Sequence, residues 1–401
     1  MSKIIVGMSG GIDSSVTAYL LKKQGHEVEG LSFILWGEIA PAARCSLRAI
    51  EEASKTARHI GIPHNAIDVR DDFIKKVIEP FVDAYISGST PNPCVLCNRF
   101  IKFPFLIKEA EKRGAEYIST GHYARIESAK SIEHGARRLN NSGHFSDYFF
   151  LKKGIDPKKD QSYVLYVLRQ KELKRLILPL GYYRKDEIRE IALELNLPAV
   201  KRSESQDICF IEARNYFKFI EKLSSVAGKP GPIVDMTGRI IGTHKGIHGY
   251  TIGQRKGLGI SSPEPLYVLK LDALKNIIYA GPCEAAKKRE FFVEDLNWIL
   301  PIWREGEALP RPYRASVKVR SMMKDEPATV FLIPPPLTPP TRGGESSTIP
   351  SPLMGEGKGG GDREIVRVVF DEPQWAPAPG QSAVFYDGDT VIGGGTIKIP
   401  A

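Results

Sequence analysis

The chain has 401 residues, 42% of them hydrophobic, with 56 Lys and Arg against 47 Asp and Glu, for a formal net charge of +9. That length and apolar content suit two or three domains with real cores, and the basic surplus fits either a polyanion partner such as nucleic acid or a solvated basic surface. No apolar run approaches the roughly 18 residues of a membrane span, the N-terminus lacks a signal peptide's apolar region, and five cysteines in a chain this long point to thiol or metal chemistry in the cytosol.

Ile4-Ile5-Val6 is a short apolar strand that runs into Gly7-Met8-Ser9-Gly10-Gly11-Ile12-Asp13-Ser14-Ser15. Val16, Tyr19, Leu20 and Lys23 recur at helical spacing, so the small-residue turn opens a helix. Adjacent glycines let the backbone approach an anion closely, and Ser9, Ser14 and Ser15 set hydroxyls at the positive end of the helix dipole. The stretch reads as a phosphate cradle, with a plain Gly/Ser turn as the alternative. The Lys-Ser/Thr pair of a Walker A loop and the G-x-G-x-x-G of a dinucleotide fold are both absent. What remains, Ser-Gly-Gly-x-Asp-Ser, resembles the pyrophosphate-binding loop (PP-loop) of the ATP pyrophosphatases, which split ATP between the α and β phosphates. That resemblance gives Asp13 the task of holding Mg²⁺ against the leaving pyrophosphate.

Further along, strands are predicted over Val28–Leu35, Pro63–Val69 and Glu116–Thr120, and helices over 46–60, across Phe73, Val77, Phe81 and Tyr85, and over 101–113. Alternating strands and helices mean an α/β domain with a doubly wound parallel sheet, whose ligands sit beyond the carboxyl ends of the strands. The turn at 7–15 and Thr120-Gly121-His122-Tyr123 share that edge. Gly121 is placed to let an adenine or ribose approach, and His122 either faces a phosphate or is structural. Residues 182–198 read as a helix with a solvated charged face. Residues 228–270 alternate Gly, Thr and β-branched residues in short runs, as small barrels do, and 291–401 give a second set of short strands. Val317-Lys318-Val319-Arg320 alternates apolar and basic residues, which offers one face to a nucleic-acid backbone.

Two prolines and an Asn make Thr90-Pro91-Asn92-Pro93-Cys94-Val95-Leu96-Cys97-Asn98-Arg99 a rigid, exposed turn. Structural zinc needs two more ligands, and no second Cys-x-x-Cys or His pair exists. A redox pair is an alternative, but it belongs at a helix start after a strand, so a nucleophilic thiol is the preferred reading. A third thiol lies in Ser203-Glu204-Ser205-Gln206-Asp207-Ile208-Cys209-Phe210-Ile211. By itself it is as readily a buried cysteine as a functional one. Beside an ATP loop and Cys97, it points to two cooperating thiols. Cys45 and Cys283 default to core packing.

The Gly7–Ser15 string, the Thr-Pro-Asn-Pro-Cys-x-x-Cys-Asn loop, Thr-Gly-His-Tyr-Ala-Arg at 120–125, Lys159-Asp160-Gln161-Ser162-Tyr163 and Ser-x-x-Asp-Ile-Cys-Phe occur together in this order. So do Gly249-Tyr250-Thr251-Ile252-Gly253-Gln254-Arg255-Lys256-Gly257 and Pro379-Gly380-Gln381-Ser382-Ala383-Val384-Phe385-Tyr386. The ordered set resembles the bacterial tRNA-specific 2-thiouridylases over nearly the whole chain. The resemblance implies a PP-loop catalytic domain at 1–214, a central β-rich tRNA-binding domain at 215–285 and a C-terminal β-barrel at 286–401. It implies exchange of the wobble uridine's 2-oxygen for sulfur in the cytoplasm, with ATP split to AMP and pyrophosphate. Gly7, Met8, Ser9, Gly10, Gly11, Ile12, Asp13, Ser14, Phe33 and Gly121 are then the ATP and Mg²⁺ residues. Cys209 carries the persulfide, delivered by a sulfur-relay donor protein, and Cys97 closes a Cys97–Cys209 disulfide as the thiolated base is freed. Asn92, Pro93 and Cys94 lie against the flipped base, and His122, Lys159, Asp160, Gln161, Arg320, Ser321 and Gln381 also contact tRNA.

The chain departs from the family pattern in three places. Some members carry Asp where this chain has Cys94. Cys94, Cys97 and Cys209 are alternatively ligands of an iron–sulfur cluster that would carry the sulfur instead. Residues 128–147 form a polar, basic, hairpin-like insert, and 334–363 are Pro-rich then Gly-rich, a composition expected to stay disordered.

Overall fold

The structure is a computed structural model that describes residues 1–35, 41–129, 148–201, 208–211, 215–224, 228–301, 311–333 and 364–398, with backbone alone at 41–46 and 201. Segment 334–363, most of 128–147, Ser203 to Asp207 and the side chain of Cys45 lie outside these residues.

In chain order the first elements are β1 (Lys3–Gly7), α1 (Ile12–Lys23), β2 (Glu27–Ile34), α2 (Pro41–Ile60), β3 (His64–Asp68), α3 (Glu79–Ile86), α4 (Pro93–Cys97), α5 (Phe103–Lys112) and β4 (Tyr117–Thr120). After β5 (Ala124–Ser128) and β6 (Phe149–Lys153) come β7 (Leu176–Ile177), α6 (Lys185–Glu194) and α7 (Tyr216–Leu223). Strands β3-β2-β1-β4-β7 form one sheet, parallel throughout. Ile4, Ile5 and Val6 in its centre are 0% exposed, because a parallel strand is covered on both faces and so reads as an unbroken apolar run. The chain winds from β1 outward through β2 and β3, then returns to place β4 on the other side. The topological switch point therefore falls between β1 and β4, where Gly7 pairs with Thr120. This is the doubly wound sheet the sequence predicts.

The next strands are β8 (Gly231–Val234), β9 (Ile240–His244), β10 (Tyr267–Asp272) and β11 (Ile277–Gly281), joined in the order β10-β11-β8-β9 around Ile233, Val268 and Ile278. Last come β12 (Lys287–Trp298), β13 (Tyr313–Lys318), β14 (Glu326–Ile333), β15 (Ile365–Trp375), β16 (Ser382–Asp387) and β17 (Thr390–Lys398). These six run β12-β15-β14-β13-β16-β17, and pairing of β12 with β17 closes them into a barrel. The predicted second set of strands is present, but β12 and β15 are 12 and 11 residues long. A closed barrel needs tilted, sheared strands, so these are longer than the short runs expected.

Strands β5 and β6 do not stay with the parallel sheet. They pair antiparallel and extend the barrel sheet through Thr390 and Lys152. Charges fasten them there: Arg125 to Asp389, and Lys153 to Asp325 at 2.7 Å. One apolar cluster runs from Ile5 and Leu31 in the parallel sheet, through Leu151 and Tyr163, to Val317 and Phe385 in the barrel. The N-terminal stretch thus builds part of the barrel sheet.

Two sequence readings are corrected here. The alternation at 317–320 does not present a basic face, since Val317, Lys318 and Val319 are all buried and the Lys318 ammonium lies 3.8 Å from the Asp160 carboxylate. The α6 helix is not wholly solvated either. Lys185 at its start is 6% exposed, because it reaches across to Asp13.

Candidate active site

The loop after β1 is shaped by its own hydroxyls. The Ser9 amide donates to Ser14 Oγ at 3.1 Å, and Ser14 Oγ donates to the Gly11 carbonyl at 3.2 Å. Gly10 sits at φ +72°, a conformation that favours glycine. Gly11 caps α1 without a side chain, so the first amides of the helix face outward without a side-chain partner. The Ser32 hydroxyl donates to the Met8 carbonyl at 2.7 Å and ties the loop to β2, one residue before Phe33 at the same sheet edge. Across the switch point, a Cβ on Gly121 would lie 2.8 Å from both the Asp13 carbonyl carbon and the Ser14 nitrogen. Free amides, serine hydroxyls and a glycine-lined cleft fit a polyphosphate. Asp13 holds the one carboxylate of the loop. Its Oδ1 accepts from Tyr123 Oη and from Lys185 Nζ, each at 2.7 Å.

The thiol loop begins at Asn92, whose Oδ1 accepts from the amides of Cys94 and Val95 at 3.2 and 3.4 Å. This N-cap starts α4, with Pro93 buried at its first position. A π-helical turn, Asn98–Lys102, follows and passes directly into α5. It brings Lys102 close enough for its charge and backbone to favour the Cys97 thiolate. Lys102 Nζ is 3.4 Å from His122 Nε2, and His122 Nδ1 is 2.7 Å from Thr120 Oγ1. Burial, reinforced by the charge of Lys102, holds the His122 pKa well below its usual value, so the ring is neutral. His122 is thus turned toward a lysine rather than open to a phosphate.

Cys209 is carried on a short turn whose anchor is Phe210. That ring packs edge-on against Phe73 and Phe81, at 5.7 and 5.4 Å between centroids. Cys94, Cys97 and Cys209 carry free thiols, as does Cys283. Solvent reaches part of each of the three, but enough protein surrounds the sulfur to raise its pKa: burial pushes Cys97 up to about 11 and Cys209 up to about 12. Ionisation of Cys97 or Cys94 would add to the rise at Cys209. Lys102 opposes the rise at all three. Among the described residues no three His, Cys, Asp or Glu side chains meet in a metal-holding arrangement, so the donor set lends the cluster alternative no support.

The residues expected at tRNA divide into two groups. Gln161 and Ser321 are exposed and Lys159 is half-buried. Asp160 is not presented outward: Oδ1 accepts from the amides of Gly154 and Ser162 at 3.1 Å, Oδ2 from the Ser162 hydroxyl at 3.0 Å, and Lys318 stands alongside. Arg320 Nη2 donates to the carbonyls of Ile252 and Ala376, both at 2.8 Å, and so pins the central module to the barrel. The turn leading to Gln381 docks on the thiol loop, where the Thr90 amide donates to the Pro379 carbonyl at 2.8 Å. Sequence reasoning assigned no role to Tyr123, Lys185 or Lys102. Lys185 sits in a charged run that looks like solvent-facing helix, and Lys102 carries a signal only in its spacing of five from Cys97.

Comparison with known proteins agrees with this geometry. Residues 2–213 match the family described as tRNA methyl transferase HUP domain, 218–282 the tRNA methyl transferase PRC-barrel domain and 360–397 the aminomethyltransferase beta-barrel domain. The tRNA-specific 2-thiouridylase MnmA 1 of Caldanaerobacter subterraneus subsp. tengcongensis is 42% identical over 403 residues, covering 99% of this chain and 98% of its own. The tRNA-specific 2-thiouridylase MnmA of Clostridioides difficile is 40% identical over 400 residues, covering 99% and 98%. A U34-tRNA thiolase solved from Methanococcus maripaludis with its [4Fe-4S] cluster shares 20% identity and a TM-score of 0.31 over 55% of this chain and 67% of that one, too slight a likeness to carry weight. Near-complete coverage at this identity, together with the ordered loops described above, shows that the chain belongs to the tRNA-specific 2-thiouridylase family.

Proposed function

We propose that the protein is an ATP-dependent sulfurtransferase that replaces the 2-oxygen of the wobble uridine of tRNA with sulfur in the cytosol. The observation that supports this most is the meeting of two chemistries at one sheet edge. The phosphate-fitting loop follows β1, and just past the end of β4 His122, bonded to Thr120, meets Lys102, whose charge acts on Cys97.

A uracil oxygen is a poor leaving group, and adenylation converts it to AMP. Loop amides and hydroxyls at 9–14 stabilise charge on the departing pyrophosphate. Asp13 is the residue to hold Mg²⁺, which when bound supplies positive charge to the same oxygens. The donor protein leaves a persulfide on Cys209. Its terminal sulfur bonds to C2 and AMP departs. The Cys97 thiolate then attacks Cys209 Sγ; the bond from Sγ to the transferred sulfur breaks, and its electron pair stays with that sulfur as the thiocarbonyl forms. A Cys97–Cys209 disulfide results, and an external dithiol must reduce it. The raised pKa values of Cys97 and Cys209 keep the resting thiols protonated and so slow their adventitious oxidation between turnovers. In this reading 1–214 is catalytic, while 215–285 and 286–401 hold the tRNA whose base is extruded toward Asn92 to Cys94.

Nucleotide product identity tests the first half. Incubation with tRNA, Mg-ATP and a persulfide donor is expected to yield AMP and pyrophosphate in equal amounts, and Asp13→Asn is expected to slow their release by roughly a hundred-fold or more. Release of ADP and phosphate would contradict the reading.

A further inference from the structure

We propose that Tyr123 is a positioning residue for Asp13, set in place by Gln161, and that Gln161 therefore acts on the nucleotide loop as well as at the protein surface. The proposal rests on the nucleotide reading of the loop. Tyr123 Oη and Lys185 Nζ both donate to the same Asp13 oxygen, Oδ1, each at 2.7 Å. Oδ2 has no hydrogen bond to any described residue, and the side chain is 36% exposed. Two donors on one oxygen fix the plane of the carboxylate and leave the other oxygen directed to the cleft, the arrangement required to present a single ligand atom to a cation.

Tyr123 owes its place to a part of the chain that builds the barrel sheet. It lies between β4 and β5, where the backbone leaves the parallel sheet. Gln161 grips it at both backbone groups: the Gln161 amide donates to the Tyr123 carbonyl at 2.9 Å, and Gln161 Oε1 accepts from the Tyr123 amide at 3.0 Å. The neighbouring Asp160 is fixed by Ser162 and faces Lys318 of β13. Tyr123 is 2% exposed and its ring stands 5.8 Å from Lys185 Nζ, so the hydroxyl has little freedom to turn away.

The test is nucleotide binding, measured by calorimetry without tRNA or sulfur donor. For Tyr123→Phe, affinity for Mg-ATP is expected to fall five- to ten-fold and the Mg²⁺ midpoint to rise. Affinity for AMP, which lacks the phosphates at Asp13, is expected to stay unchanged and shows that the variant is folded. Gln161→Leu is expected to shift Mg-ATP binding the same way by a smaller factor, with no tRNA present. Unchanged or tighter Mg-ATP binding by Tyr123→Phe, or an equal loss of AMP and Mg-ATP, would overturn the proposal while leaving the nucleotide reading intact. Failure of the unaltered protein to bind Mg-ATP would remove both.

Discussion

Replacing Cys97 by Ser, or Cys209 by Ala, is expected to lower 2-thiouridine formation by at least roughly a thousand-fold, a magnitude typical for loss of a nucleophile. Single-turnover pyrophosphate release should persist within about ten-fold, because the loop at 9–14 and its carboxylate partner contain neither thiol, whereas AMP leaves only when sulfur reaches C2. The two losses differ in kind. Without Cys209 no sulfur is carried, so protein treated with the donor should retain no persulfide at this site. Without Cys97 the persulfide can still form on Cys209, but no thiolate displaces Cys209 from the transferred sulfur. Mass spectrometry of the trapped protein separates the two: the Cys97→Ser variant is expected to accumulate an additional sulfur on the Cys209 peptide. Equal retention of thiouridine synthesis in both variants would remove the thiols from the chemistry.

Lys102→Met is expected to slow alkylation of Cys97 by ten- to a hundred-fold at fixed pH. Alkylating agents react with the thiolate, and burial holds the Cys97 pKa up at about 11. At pH 7.5 a thiol of that pKa is ionised in about one molecule in three thousand, so the rate should rise about ten-fold per pH unit between pH 7 and 9. The nearby ammonium of Lys102 favours the charged form, as does a backbone hydrogen bond from the same residue, whereas Cys94 disfavours it. Removing the ammonium raises the pKa further. The slope then stays the same and the whole profile moves to higher pH. Peptide-level readout of iodoacetamide labelling separates Cys97 from Cys94. A profile unmoved by the substitution would show that Lys102 does not act on this thiol.

Features carried by local pattern were legible before the fold was seen. Ile4 to Ser15 declares strand, turn and helix within a dozen residues, and the glycines and hydroxyls there have few other uses. The same holds for the parallel sheet, whose strands β1, β2, β3 and β4 fall within a residue or two of their predicted limits. What failed to show were contacts made by closure over long separations. Tyr123 and Lys185 meet Asp13 across 110 and 172 residues, and neither local sequence encodes the partner. Lys318 looked like an outward-facing base because its neighbours alternate with it. The fold buries Val317, Lys318 and Val319 alike, and Asp160, also read as a surface contact, is the counter-charge of Lys318. The pairing of β6 with β17, Lys152 opposite Thr390, is likewise invisible to any window a few residues wide.

The most direct measurement of the central claim is sulfur transfer itself. The protein would be incubated with unmodified tRNA, Mg-ATP, a persulfide-carrying donor and a dithiol reductant, and the digested nucleosides read by mass spectrometry. The account predicts one 2-thiouridine for each AMP formed. AMP and pyrophosphate without a thionucleoside would contradict it and leave an adenylating enzyme of another kind.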